Sequence, residues 1–385
     1  MEKNNNAKRV TNGRFDFIGR VAVDSKVFAF DVPGKNNTNW LQNIFNPKIE
    51  GDNGESMYVR ISDGYDKVKG KTLYAKSTSD AQLEIPFADR NNANMIKLVD
   101  DKSFVKVAIS KKVEKNDQGK EYKVWDFKKF LSLYDAIRFI SEVMPLASKN
   151  KIRITGRVKY STYNGEIQRG YELQTFYLLE NNEDQGKELP NQFSFVQNIV
   201  LTKDCIDKSQ WENDGVAVIN GKLFQKKPKV KDTYEILHLP ILIKADTQEK
   251  KDTYERVINR YLTVQDDNVR RINIEGFFNS GFIASNVTGD DLPQEAKDLI
   301  LDGLYTEEEV FKMYANRESV DEVVFKRPLI KKINDKPTVD MADNEYTIDD
   351  INKALTEMDV INETQVGNAV TAEEVDELLG QLADL

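Results

Sequence analysis

Cations and aromatic rings alternate along three stretches of this chain. In the first, Lys151, Arg153, Arg157 and Lys159 are interleaved with Ile152, Ile154 and Val158. Tyr160, Tyr163, Arg169 and Tyr171 continue that series across Asn164-Gly165. In the second, Lys222, Phe224, Lys226, Lys227 and Lys229 crowd one short segment; in the third, Arg270 and Arg271 precede Phe277 and Phe278. Trp40 stands in a Gly-, Pro- and Asn-rich stretch from Pro33 to Gly54 that reads as a long functional loop. Cations that follow phosphates and rings that stack on bases are what an unpaired nucleic-acid strand requires. Each stretch alone also fits a soluble strand face above a core filled by rings. Their repetition points to a polynucleotide, and with no helix-turn-helix or basic-helix pattern the single strand is favoured over the duplex.

Catalytic chemistry has little to work with. His238 is the only histidine and Cys205 the only cysteine. A Ser/His/Asp triad would rest on one residue, and a disulfide framework or cysteine zinc cluster is excluded. His238 lies in an extended apolar run and reads as a strand-core residue, while Cys205 reads as a small core filler. Neither a phosphate-cradling G-x-x-x-x-G-K-[ST] nor a dinucleotide G-x-G-x-x-G occurs. No catalytic residue, metal or cofactor is therefore expected; the abundant carboxylates leave a metal-dependent nuclease as a third functional class.

Charge is unevenly distributed. Asp335 to Leu385 carries 14 Asp or Glu against two Lys, a net of −12, which leaves the preceding residues at +3. A basic body that meets a polyanion is thus followed by an acidic tail able to compete with it or to recruit a protein. Near the end, Thr371 and Glu374 form a capping box, and Val375, Leu378, Leu379 and Leu382 fall on one helical face before Asp384 and Leu385. Such a short helix is marginal alone, so it forms when its Leu face meets a partner or the body. No segment approaches a membrane span, and the single cysteine agrees with a reducing, cytoplasmic address.

The elements that must position these residues follow from hydrophobic period. Strands are predicted at Arg14–Val23, Ser56–Ile61 and Thr72–Lys76, then a hairpin of 104–112 and 121–127. A helix is predicted over Asp126–Ala147, then a hairpin of Lys151–Tyr160 and Gly170–Leu179 turning at Asn164-Gly165. The second half repeats the order: strands near 193–202, 215–226 and 234–244, a helix over 248–262, and a strand over 270–278. Ile152, Ile154 and Gly156 match Ile272, Ile274 and Gly276 at a constant offset of 120, which suggests duplication. Strands, one helix, then a closing hairpin is the order of an OB-fold. The expectation is a mostly β, α+β chain with two tandem OB-like barrels, each with one helix, a C-terminal helical extension and an acidic tail. Residues 1–180 form the first domain, 181–190 a linker, 191–334 the second domain and 335–385 a flexible tail; other small barrels or sandwiches are the alternatives.

This arrangement resembles bacteriophage-encoded single-stranded DNA-binding replication proteins: OB-fold body, basic and aromatic strand faces, and an acidic C-terminal tail with an apolar tip. The resemblance implies sequestration of unwound DNA in host cytoplasm during replication or recombination, with the tail docking partner proteins or occupying the DNA groove. The Leu-rich ending departs from the common Asp-Asp-x-Pro-Phe-like tip, so recruitment of the same partners does not follow from the resemblance. The competing class is a protein-interaction or virion assembly component in which the barrels are scaffolds.

Overall fold

A computed structural model describes residues 10–35, 37–52, 55–144, 149–163, 166–179, 189–226, 234–284, 292–307, 310 and 317–354. The first barrel is assembled from strands β1 (Gly13–Ala22), β2 (Lys48–Glu50), β3 (Val105–Lys115) and β4 (Glu121–Phe130), helix α1 (Leu133–Val143), and strands β5 (Lys149–Tyr163) and β6 (Glu166–Leu178). Neighbours run β4-β3-β6-β5-β1-β2. The pairings in that row are antiparallel except β3 with β6, which is parallel. With β4 counted as an addition to the row, the helix before β5 and the parallel β3–β6 pair match an OB-like order.

The second barrel uses β7 (Gln192–Leu201), β8 (Val216–Lys226), β9 (Tyr234–Lys244), helix α2 (Gln248–Val257), β10 (Arg270–Ala284) and β11 (Arg317–Pro328). The order β7-β8-β9-β11-β10 returns to β7, closing a five-stranded OB-like ring. The fold is mostly β with a few helices, as its alternating strands require.

The chain divides into two compact units. One holds, among the described residues, those of Asn12–Val196 and Glu275–Lys326; the other holds those of Met1–Thr11, Gln197–Ile274 and Arg327–Leu385. These units differ from the consecutive domains expected from the sequence, since residues 191–196 and 275–326 group with Asn12–Val196. Of the expected linker, 181–190, residues 181–188 lie outside those described.

The matched glycines have one physical reason. A Cβ on Gly156 would lie 1.9 Å from the Glu172 carbonyl oxygen and 2.8 Å from the Phe15 ring. On Gly276 it would lie 2.2 Å from the Val324 carbonyl oxygen and 2.6 Å from the Phe195 ring. At Gly156 the β5–β6 register also shifts, the bulge by which a long strand bends.

Three expectations need correction. The helix over 126–147 begins only at Leu133, where the Ser132 hydroxyl accepts from the Tyr134 N–H at 3.2 Å; residues 126–130 stay in β4, paired with β3. Residues 145–148 are outside the described set. The expected loop from Pro33 to Gly54 contains the strand Trp40–Phe45, which pairs with Phe28–Pro33 and Ile61–Asp66. Its buried Asn43 reads as a loop residue but is satisfied internally, accepting from the Asp31 N–H at 3.0 Å and donating to the Tyr134 carbonyl at 2.9 Å.

The third correction concerns the acidic segment, which is folded well past Asp335. Lys336–Val339 pairs with Ile330–Ile333, and β12 (Met341–Asp343) pairs antiparallel with β10. The capping pair Thr347 and Asp350 then starts a helix reaching Ala354. Tyr346, Ile351 and Ala354 are buried with Val200, Phe224, Ile236 and Val269. Any detached tail begins beyond Ala354.

Replacing Gly156 by Ala should destabilise the protein by about 1–3 kcal/mol, because backbone and a buried ring both obstruct the new methyl; urea unfolding measures it. Tyr346→Ala should cost about 3 kcal/mol in the same assay, whereas a detached tail would make it neutral.

Candidate nucleic-acid interface

The outward face of the first barrel carries rings and cations in register. Trp125 on β4 sits opposite Lys111 on β3, whose ammonium lies 4.7 Å from the indole centre. Tyr177 on β6 meets Trp125 edge-on at 5.1 Å and Phe127 at 5.7 Å. Across β5, the Arg153 guanidinium is 5.6 Å from the Tyr177 ring, and Lys106 is 5.9 Å from Phe127. Trp125, Phe127 and Tyr177 are half-buried, each keeping part of its ring at the surface. Such ring and cation contacts keep the rings rigid while leaving π-faces to receive a base.

The face continues onto β1. Asp16 accepts both Nε and Nη2 of Arg153 at 2.8 and 2.6 Å, and this bond raises the guanidinium above its ordinary pKa against the opposing effect of burial. Beyond it, Arg14 and Arg157 stand directly opposite each other on β1 and β5, both exposed. Like charges in that position repel, so the pair is stable at a cost unless an anion lies between them. A shallow depression of about 450 Å³ runs alongside, lined by Arg14, Asp16, Gln174, Gln192, Ser194 and Glu275 among others. Burial lowers the Lys111 ammonium, helped by the nearby charge of Lys123.

The residues expected from the sequence are distributed differently. Arg157 and Lys159 are exposed, Lys159 pairing with Glu172 at 2.8 Å. Lys151 is buried and its ammonium donates to the Leu189 carbonyl. Arg169 turns inward to Asp321 with its guanidinium 4.7 Å from the Phe278 ring. Tyr160 is a core residue, its phenol pushed far up by burial. Tyr171 packs edge-on against Phe15 and Phe17, each at 5.2 Å, and burial pushes its phenol up to about 12. Phe278 is buried against Phe195 at 4.7 Å. Phe277 is half-buried beneath the Lys326 ammonium at 5.0 Å. Trp40 is half-buried in its strand against Gly64. The Tyr163 side chain is outside the described set.

In the other unit, Phe224 is a core residue and Lys222 donates to Thr202 Oγ1 at 2.8 Å, with burial lowering its ammonium. Lys226 is exposed; Lys227 and Lys229 fall outside the described residues, as do Val375, Leu378, Leu379, Leu382, Asp384 and Leu385. Arg270 is held by Asp343 at 2.6 Å and by the carbonyls of Tyr261 and Thr263. Arg271 is held by Glu345 at 2.7 Å, Asn198 at 3.0 Å and Asp340 at 3.6 Å. These two arginines are neutralised by the acidic segment that follows them.

Lys151, Tyr160, Phe224 and Phe278 are buried where the sequence pattern placed them at the surface, while Arg169 and Tyr171 stay partly exposed but are engaged by Asp321 and by the Phe15 and Phe17 rings. His238, expected in the core, is exposed on β9. Cys205 is buried as expected of a filler, and burial pushes its thiol up to about 11. Sequence reasoning missed Arg14, Lys106, Lys111, Trp125, Phe127 and Tyr177. The alternation of Lys123, Trp125 and Phe127 was a signal, but only register shows that Lys111 and Tyr177 meet them.

Among the described residues, no group of three or more His, Cys, Asp or Glu is placed to hold a metal ion, and no helix is long and apolar enough to cross a membrane. No protein-family model and no curated protein matches this chain. Among solved structures, a deletion mutant of the single-stranded DNA binding protein from Thermus aquaticus is similar at 10% identity, covering 70% of this chain and 87% of that one, with a TM-score of 0.28. A likeness at that level carries no argument.

Asp340 illustrates how the acidic segment contributes. Burial alone would raise its carboxyl, but the bonds from Lys331 and Asn273 and the charges of Lys331 and Arg271 outweigh it and hold the carboxyl low. A depressed carboxylate adds stability that is present above the unfolded value, near pH 4, and lost as pH falls through the folded value. Asp340→Asn should therefore lower stability at neutral pH and flatten its decline below about pH 4, read by urea midpoints across pH.

Proposed function

We propose that this chain is a binding protein for single-stranded nucleic acid, DNA in the first instance, using the outward face of the first barrel. The observation that carries this reading is the Arg14–Arg157 cross-strand pair, continuous through β5 and β6 with the Tyr177, Phe127 and Trp125 rings. Phosphates relieve the arginine repulsion, and bases stack on the rings. Binding rather than catalysis is the activity. The resemblance noted from the sequence supports a cytoplasmic role in bacteriophage replication or recombination. The Val375 to Leu385 segment is proposed to dock a replication or recombination protein through its Leu face.

Fluorescence anisotropy of labelled oligo-dT across a salt series tests this, with duplex as competitor. Saturable binding that duplex does not displace is expected. Arg157→Ala and Arg14→Ala should each weaken it and reduce the salt slope by about 1, and Trp125→Ala should cost about 1–3 kcal/mol with the slope unchanged. Arg270→Gln with Arg271→Gln should leave affinity within about twofold, because their charge is already spent within the fold. No binding at low salt would overturn the reading in favour of an assembly component.

A further inference from the structure

β4 is a long strand that pairs on one side only. Among the described strands its sole neighbour is β3, and it runs Glu121–Phe130 without proline. The irregularity in the hairpin falls on β3, where Ile109 is the extra residue, so β4 itself stays regular. Exposed edges of this kind are normally blunted by bulges, prolines or lysines because they template pairing with another chain. β4 carries Lys123, Lys128 and Lys129, yet also Tyr122, Val124, Trp125 and Phe127, with Tyr122 46% exposed.

We propose that β4 is the contact edge of a twofold pair of this chain, joined β4 to β4 in antiparallel fashion and centred on Trp125. Symmetry and charge select that register. A twofold axis normal to the sheet keeps each strand's faces on the same side, so opposing residues must be of equal parity. The register centred between Trp125 and Asp126 would set opposite faces together and is excluded. Two allowed registers pair nine residues of this strand. Centred on Asp126, that residue opposes itself and Lys123 opposes Lys129, both like-charge clashes. Centred on Trp125, Glu121 opposes Lys129, Tyr122 opposes Lys128, Lys123 opposes Phe127, Val124 opposes Asp126, and the two indoles meet. Every lysine then faces a carboxylate or a ring. Within one chain Glu121 and Lys129 pair with Lys115 at 3.3 Å and Asp101 at 2.6 Å, but all four side chains keep solvent access that lets them re-pair.

The same axis places the two Trp125 faces side by side, so one strand of nucleic acid would cross both copies and binding would be cooperative. That consequence rests on the proposed function; the pairing does not, and its test uses no nucleic acid. Opposed Cα atoms in an antiparallel pair are about 4.5–5.5 Å apart, within disulfide reach. Full-length Val124→Cys and Asp126→Cys chains, oxidised separately and as an equal mixture, should cross-link only in the mixture, since buried Cys205 does not take part. Cross-linking of Asp126→Cys alone would place the axis on Asp126, and that of Val124→Cys alone would place it on Val124; either overturns the register. As a control independent of cysteine chemistry, Glu121→Lys or Lys129→Glu should each weaken dimerisation about fivefold or more in sedimentation velocity, and the double reversal should restore it. Full-length protein that remains monomeric at its highest soluble concentration overturns the proposal.

Discussion

Two close approaches, each a phenylalanine ring against a glycine, govern how the long strands bend. Phe15 occupies the space a side chain on Gly156 would need, and Phe195 does so at Gly276. The rings that meet there form one aromatic core: Phe17 lies 5.8 Å from Phe193 and 5.9 Å from Phe278, and Tyr171 lies 6.3 Å from Phe278. Edge-on contacts of this kind add about 0.5–1.5 kcal/mol each beyond the area they bury. This packing explains why Phe278 is buried and why Arg169 points inward over its ring instead of outward to phosphate.

Once that core is set, function depends on which cations remain uncommitted. In the second barrel, Arg270 and Arg271 are taken by Asp343, Glu345 and Asp340, and the same segment buries Tyr346 and Ile351. The acidic segment is thus a structural counterion and core filler over its first part. In the first barrel the balance tips the other way. Asp16 satisfies Arg153, but Arg14 and Arg157 repel each other in the open beside Thr155 and Gly156. The two barrels therefore do not present equivalent ligand faces, because the cations of one are filled by the chain's own carboxylates.

Much of the secondary structure was legible because period is local. Phe15 and Phe17 point inward from an alternating segment, and the offset between Gly156 and Gly276 marked a repeated bend before any contact was known. Where local pattern misled, a tertiary partner overrode it. Asn43 looked like a loop residue until the Asp31 N–H and Tyr134 carbonyl satisfied it. Asp126 to Phe130 looked helical until the Ser132 cap and the β3 ladder claimed those residues for a strand.

From the sequence alone came the mostly β architecture, the helix before each closing hairpin, the alternation of cations with apolar residues in β5, and the scarcity of catalytic groups. These depend on residue type and spacing, which one strand carries by itself. The tertiary structure decided which cations are spent and which are exposed, burying Tyr160 and Phe278 and leaving Trp125, Phe127 and Tyr177 partly exposed as candidate rings. The physical reason is that a ring or a charge acquires its role from what lies across the ladder, and register between strands distant in sequence is settled by packing rather than by either strand's own pattern.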